Sequence, residues 1–333
     1  MSTSLCEIKV TRLDRGPTHH RQVTGPARPV QIPHLVLPRY PAQSPRPTQS
    51  PRPTQVVAHR GDSQTEPEHT LAAYRRALEV GADALECDVR LTADGHLVCV
   101  HDRRVDRTSN GTGLVSTLEL TQLEGLDWGS WRELAVRRGS DPAEEPDVVE
   151  PGDRSKLLTL RRLLTLVAEA RPGVELAIET KHPTRYGGLV ERQLVETLDR
   201  FGWARPAPGT SSPVRVMSFS LLALRRMRQF APQLPLVYLA DRALPLVRDG
   251  ALPRGVDAAG IGVEVLRAHP DLPDRLHQRG HAVHVWTVDN PEDVQRCIDA
   301  EVEAIITNRP QQVLRQLGRP VPGREDGGEN SAG

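Results

Sequence analysis

Aromatic residues are scarce in this chain: three Phe, four Trp and four Tyr, 3% of 333 residues. Core volume must therefore come from Leu, Val, Ala and Ile. An excess of one charge is also missing. Lys plus Arg and Asp plus Glu each number 43, so the net charge is zero, which argues against wholesale nucleic-acid binding with its usual basic excess. The cysteines Cys6, Cys87, Cys99 and Cys297 form no CxxC pair, which excludes a zinc knuckle or a thioredoxin-type motif. Cys87 and Cys99 lie in apolar, strand-like runs where Cys acts as a small hydrophobe, so a reduced, cytoplasmic protein is expected. No apolar run is long enough to cross a bilayer; the stretch 30–37 is broken by Pro33 and His34. Residues 1–10 carry Glu7 and lack the apolar stretch of a secretory signal, so stable membrane insertion is not expected. There is no Gly-x-Ser-x-Gly elbow, P-loop or Rossmann glycine fingerprint, which removes the commonest hydrolase and nucleotide-binding alternatives.

Proline is abundant but unevenly placed. Residues 1–54 hold ten prolines from Pro17 to Pro53, and 44–49 (SPRPTQ) repeats as 50–55. Such a segment cannot form helix and has little apolar surface to bury, so a disordered or polyproline arm is expected over 1–54. It reads as a linker, with a proline-ligand motif as the alternative. The end, 319–333, is too polar and glycine-rich to pack and is expected to be a tail.

From 55 to 318 short apolar runs alternate with helix-period segments, the pattern of βα units. Strands are predicted at 56–58, 84–89, 175–179, 214–218, 236–240, 260–263, 281–286 and 304–306. Helices are predicted at 70–80, 160–170, 189–201, 221–230, 271–279, 291–300 and 311–317. In Asn290-Pro291-Glu292-Asp293, Asn is expected to cap and Pro to take the first helical position. Eight such repeats match the size and rhythm of a (β/α)8 TIM barrel, with an open doubly wound sheet as the alternative. The turn signal at 91–96 and the apolar run 97–100 predict a hairpin, followed by an irregular insertion over about 102–155.

The chemistry-bearing residues sit where strands should end. Glu86 and Asp88 are two apart on a predicted strand, so both carboxylates point to one face. Two ionised carboxylates there call for a hard divalent cation with oxygen ligands, Mg2+ or Ca2+. Glu179 ends another strand, and Lys181 shares its face, which offers a third carboxylate beside a cation suited to an anionic substrate oxygen. His59-Arg60-Gly61 supplies an imidazole, a guanidinium matched to phosphate and a residue able to make a tight turn. His101 could face His59 across the metal, giving one base and one acid near neutral pH. His281 and His284 are three apart on one strand and cannot act as a pair.

These residues, with Pro67-Glu68-His69-Thr70, Arg107 to Gly111, Ser218-Phe219, Trp286-Thr-Val288 and Ile305 to Asn308, resemble the glycerophosphodiester phosphodiesterase family over about 55–315. The resemblance implies a TIM barrel with a small insertion after the second strand. It also implies metal-dependent hydrolysis of glycerophosphodiesters to sn-glycerol 3-phosphate and an alcohol. By match of motif, Glu86, Asp88 and Glu179 would bind the metal, and His59 and His101 would be the general acid/base pair. Arg60 and Lys181 would hold the phosphate, Glu68 would orient the site, and Trp286 would wall a glycerol or leaving-group pocket. Two positions depart from the pattern: His69 stands where Asn is usual, and Asn308 where Asp is common. The same site could instead serve a lysophospholipid in lysophospholipase D fashion, with an acyl groove built from 118–131. A third reading is a non-catalytic scaffold whose proline arm recruits partners.

Overall fold

A computed structural model describes residues 53–132, 151–184, 187–242 and 245–322. The arm expected over 1–54 lies outside the described residues apart from its last two. The tail expected over 319–333 is described only to 322, and Arg319 at its start pairs with Asp83 on the barrel.

Nine strands form the sheet: β1 Gln55–His59, β2 Ala84–Leu91, β3 Leu97–Cys99, β4 Glu175–Thr180, β5 Val214–Ser218, β6 Leu236–Ala240, β7 Ala258–Gly262, β8 Ala282–Trp286 and β9 Ala304–Thr307. All except β3 run parallel, in the order β1-β9-β8-β7-β6-β5-β4-β2, and β1 also pairs with β2. That last pairing closes the sheet into an eight-stranded TIM barrel and excludes the open, doubly wound arrangement. Each predicted strand is present within about two residues of its expected bounds. The largest shift is at β7, where Val263 does not end the strand but opens the helix Val263–Ala268.

Strand alternation sorts the side chains into two cores. Val57, Ala84, Ala177, Met217, Val237, Leu239, Ala258, Ala304 and Ile306 fill the barrel interior. The opposite faces, among them Val56, Leu85, Leu176, Ile178 and Ile305, pack under the helices. The helix Leu71–Glu79 shows why these segments are helical. Thr70 caps it by accepting the Ala73 N–H, and Leu71, Tyr74 and Ala77 lie buried against the strands. At Pro291–Asp299 the expected cap is not made. Asn290 sits at the cap position, but its side chain accepts no helix N–H. It bonds the Asp293 carboxylate instead. The short helices Leu120–Glu124, Pro151–Ser155, Pro245–Arg248 and Val263–Ala268 span too few turns to show a period in the sequence.

β2 runs longer than its neighbour β1, and the excess matters. His59 pairs in register with Glu86, where β1 ends. Beyond it β3 takes over the same edge antiparallel, with Val89 opposite Cys99 and Leu91 opposite Leu97. This hairpin carries His101 above the barrel mouth. The insertion that follows packs its own small core of Val98, Val100, Val105, Val115, Leu123, Trp128 and Leu157, with Leu118, Leu120 and Leu126 against it. Leu118, Leu120 and Leu126 are only partly buried against this core, within the stretch 118–131 expected to build an acyl groove.

Gly61 makes the turn after β1 with φ +84°, and a Cβ there would lie 2.5 Å from the Ala73 carbonyl carbon. No side chain relaxation can relieve contact with main chain. Gly61→Ala should therefore cost about 3 kcal/mol, combining left-handed strain with overpacking. Urea unfolding measures this, and a loss below about 1 kcal/mol would mean the turn is plastic.

Candidate active site

The neighbouring strands β2 and β4 bring Glu86, Asp88 and Glu179 together. One carboxylate oxygen from each lies within 4.8 Å of the others, and all three residues are buried. The pairing of Asp88 with Glu179 follows from parallel register, and Glu86 sits two residues below Asp88 on the same face.

Asp88 is the hub. Lys181 Nζ lies 3.0 Å from its Oδ1 and 2.9 Å from Glu179 Oε1. Arg60 Nε lies 3.0 Å from Asp88 Oδ2, and His69 Nε2 reaches the same oxygen at 2.9 Å. His69 Nδ1 meets the Tyr74 hydroxyl at 2.8 Å, and that hydroxyl also bonds the Glu86 carbonyl oxygen at 3.0 Å. Burial works against an ionised Asp88, but Lys181, His69 and Arg60 together hold its carboxyl well below the usual range. Glu86 differs. Its carboxylate accepts the Arg60 main-chain N–H at 3.1 Å, and burial plus the Asp88 charge push its pKa well up. Glu179 is pushed up to about 8 by burial and then by Asp88.

A second chain of charges leads outward. Arg60 also donates to Glu68 Oε1 at 3.1 Å. Arg107 grips both Glu68 oxygens at 2.7 and 2.8 Å and donates through Nε to Asp102 at 2.6 Å. Asp102 in turn accepts from His101 Nδ1 at 2.7 Å. His101 is thus tied to Asp88 through alternating charges, with its Nε2 left free. Burial holds its pKa below the ordinary value, with Asp88 pulling the other way. His59, on the other side, has Nδ1 2.7 Å from Asn308 Oδ1 and Nε2 4.0 Å from Glu86 Oε2. Burial, helped by the Arg60 charge, brings its pKa down to about 3.

Every residue expected at the site therefore joins this cluster except Trp286. Trp286 ends β8, donates its indole N–H to the Gly260 carbonyl oxygen at 3.0 Å, and meets Phe219 edge-on with centroids 5.5 Å apart. Phe219 and Leu222 are exposed on the same face of the barrel, at 41% and 55%. Tyr74, Asp102, Arg107 and Asp289 were not assigned roles by residue type. Their parts depend on partners that the turns and strand ends bring together. Asp102 beside His101 was the one such pair visible in the sequence.

The donor set suits a divalent cation. In this connected set of contacts the carboxylates of Asp102, Glu68, Asp88 and Glu179 meet the cations of Arg60, Arg107 and Lys181, while Glu86 meets only the Arg60 main-chain N–H. Five carboxyl groups thus face three fixed cations, and burial together with that surplus raises the pKa of Glu86 and Glu179. All ligating atoms are oxygens, the choice of a hard cation, and a bound cation would offset the charges. Arg90 does not cancel them by direct pairing, because its guanidinium is committed to the His101 carbonyl oxygen.

Glu68 ties this network together, and its carboxyl titrates accordingly. Burial would raise its pKa, but Arg107 and then Arg60 hold it at about 2. A depressed acid contributes stability above its unfolded pKa, near 4.5, and loses it as pH falls through the folded value. Glu68→Gln should cost about 2 kcal/mol at neutral pH, after a discount for the half-exposed Arg107. The difference from wild type should close between pH 4.5 and about 2. Urea unfolding across that window checks it, and a pH-independent gap would rule out the charge-pair origin.

Comparison with known proteins agrees with the fold. The description "Glycerophosphoryl diester phosphodiesterase family" matches residues 59–312. The chain is 47% identical to a protein of Mycobacterium tuberculosis named "Probable glycerophosphodiester phosphodiesterase 1", over 83% of this chain and 94% of that one. It is 32% identical to the glycerophosphodiester phosphodiesterase of Caldanaerobacter subterraneus subsp. tengcongensis, over 78% of this chain and 96% of the relative. In fold it is similar to a phosphodiesterase of Oleispira antarctica solved with sn-glycerol-3-phosphate. That match has a TM-score of 0.65 and 23% identity, and covers 79% of this chain and 96% of the other. The protein is thus an enzyme, a phosphoric diester hydrolase, and not a scaffold. It belongs to the glycerophosphoryl diester phosphodiesterase family. No helix among the described residues is long and apolar enough to cross a membrane.

Proposed function

We propose that this enzyme hydrolyses small glycerophosphodiesters to sn-glycerol 3-phosphate and an alcohol, with a divalent cation held by Glu86, Asp88 and Glu179. The observation that carries this reading is the pair of imidazoles flanking one buried carboxylate cluster. Each is anchored through Nδ1, by Asn308 or by Asp102, and each keeps Nε2 for chemistry. Mg2+ or Ca2+ bound there would supply Lewis-acid polarisation of a phosphoryl oxygen.

The two histidines divide the work by environment. His59 is buried and backed by a neutral amide, so its imidazole stays neutral and Nε2 accepts the proton of the attacking hydroxyl. That hydroxyl belongs to water, or to the substrate's own glycerol, in which case the cyclic phosphodiester formed as the alcohol leaves is opened by water in a second step. Asp102 accepts from His101 Nδ1 and, with Asp88, favours the protonated imidazole against the lowering effect of burial, and that protonated form gives its Nε2 proton to the leaving alcohol. Arg60 and Lys181 offset the charge that grows on the non-bridging oxygens. Glu68 and Arg107 hold Arg60 and Asp102 in place for this. Trp286 and Phe219 offer an aromatic wall to the alcohol group.

The test is hydrolysis of glycerophosphocholine and glycerophosphoethanolamine with Mg2+, Ca2+ or EDTA, coupled to detection of sn-glycerol 3-phosphate. Cation-dependent release supports the reading, and release undiminished by exhaustive chelation removes the metal from it. The exposed Phe219 against Trp286, with Leu222 exposed three residues further on, favours one second reading, a lysophospholipid whose acyl chain lies along that rim. Lysophosphatidylcholine assayed beside glycerophosphocholine separates the two substrate classes.

A further inference from the structure

Past the end of β9 a set of polar contacts stands behind His59, on the side away from the carboxylates. Asn308 Nδ2 lies 2.7 Å from Asp289 Oδ2, while Asn308 Oδ1 lies 2.7 Å from His59 Nδ1. The Asp289 carboxylate is itself fixed, accepting the Asn308 main-chain N–H at 2.8 Å and the Thr307 hydroxyl at 3.0 Å. An ionised carboxylate only accepts, so the amide group facing Asp289 must be the NH2. The amide oxygen then faces His59, and an oxygen offers no proton, so the proton of that contact must sit on Nδ1. The Ser63 hydroxyl lies 2.8 Å from both this amide and the His59 carbonyl oxygen, and with a single proton to give it does not decide the orientation, which rests on Asp289.

We propose that Asp289 and Asn308 are positioning residues that set the direction of this hydrogen-bond chain and hold His59 as the Nδ1–H tautomer. Nε2 is then unprotonated and turned to the carboxylate cluster, where it lies 4.0 Å from Glu86 Oε2. The inference rests on the reading of His59 as an acid–base group. It goes further by naming the two residues that choose which nitrogen does the work.

Polarity of the chain, not its shape, is what the proposal requires. Asn308→Asp puts two carboxylates face to face at the Asp289 contact and breaks the chain. Asp289→Asn combined with Asn308→Asp restores it, because the amide now donates from position 289 and the carboxylate still accepts from Nδ1. The single variant should lower kcat about 10²-fold with KM little changed, short of the roughly 10⁴-fold that a wrong tautomer costs in a serine protease, and the double swap should recover all but about tenfold. Nitrogen-15 NMR of histidine-labelled wild-type enzyme at neutral pH reads the tautomer directly and should show the His59 proton on Nδ1. A proton on Nε2 overturns the proposal, as does a double swap no better than Asn308→Asp. The spectrum is independent of turnover, so a failure of the acid–base reading shows separately, as a His59→Ala variant that keeps its activity.

Discussion

His59→Ala should lower turnover on glycerophosphocholine by about 10³-fold, the middle of the range that a positioned acid–base group contributes. The fold should survive, because the Asn308 oxygen freed by the change keeps the Ser63 hydroxyl as a partner. His101→Ala should lose a similar factor, yet the two losses differ in kind. A leaving alcohol that departs without a proton, such as p-nitrophenol, relieves the need for the acid but not for the base. With a p-nitrophenyl diester the His101→Ala deficit should shrink to about tenfold or less while the His59→Ala deficit persists. The opposite pattern would exchange the two roles, and wild-type turnover in both variants would remove the histidines from the chemistry. The double variant should be little worse than either single one, since residues acting as a unit are not additive.

Strand periodicity made most of this site legible before any coordinates. Glu86 and Asp88 share a face because they are two apart on a strand, and Glu179 and Lys181 follow the same rule. Gly61 was expected to make a tight turn and has φ +84° with Ala73 pressed against it. The support around these residues was harder to read. His59 and Asn308 are 249 positions apart, and Arg107 and Glu68 are 39 apart. Such contacts arise only when the barrel closes and the insertion folds back over its mouth. His69 is a sharper case. It looked like a loss of an expected Asn, yet its imidazole bridges Asp88 and Tyr74 from a backbone with φ +60°. Residue type alone did not announce that bridge, since it needs Tyr74 one helical turn into the next element. The insertion was legible only as an irregular segment. That it packs a core of its own around Leu123 and Trp128 was not apparent, because its apolar residues follow no regular period.

The three carboxylates should respond to substitution in opposite ways when no divalent cation is present. Asp88 meets Lys181, Arg60 and His69 at about hydrogen-bond distance, so neutralising it strands buried positive charge. Asp88→Asn should therefore destabilise the metal-free protein by about 3 kcal/mol, the cost of breaking a buried pair. Glu86 touches no side-chain cation closer than His59 at 4.0 Å, is almost fully buried, and shares its face with Asp88. Glu86→Gln removes that repulsion while the Gln oxygen keeps the Arg60 N–H, so the metal-free protein should gain about 1 kcal/mol. In excess Mg2+ or Ca2+ the order should change. Wild type should gain about 2.7 kcal/mol at a hundredfold excess over Kd, and both variants should gain far less because each has lost a ligand charge. Denaturant unfolding in EDTA and in each cation measures all of these terms. Equal destabilisation by both variants in EDTA would mean that Glu86 is held by partners as strong as those of Asp88. Equal stabilisation of wild type and Glu86→Gln by the cation would take Glu86 out of the ligand set.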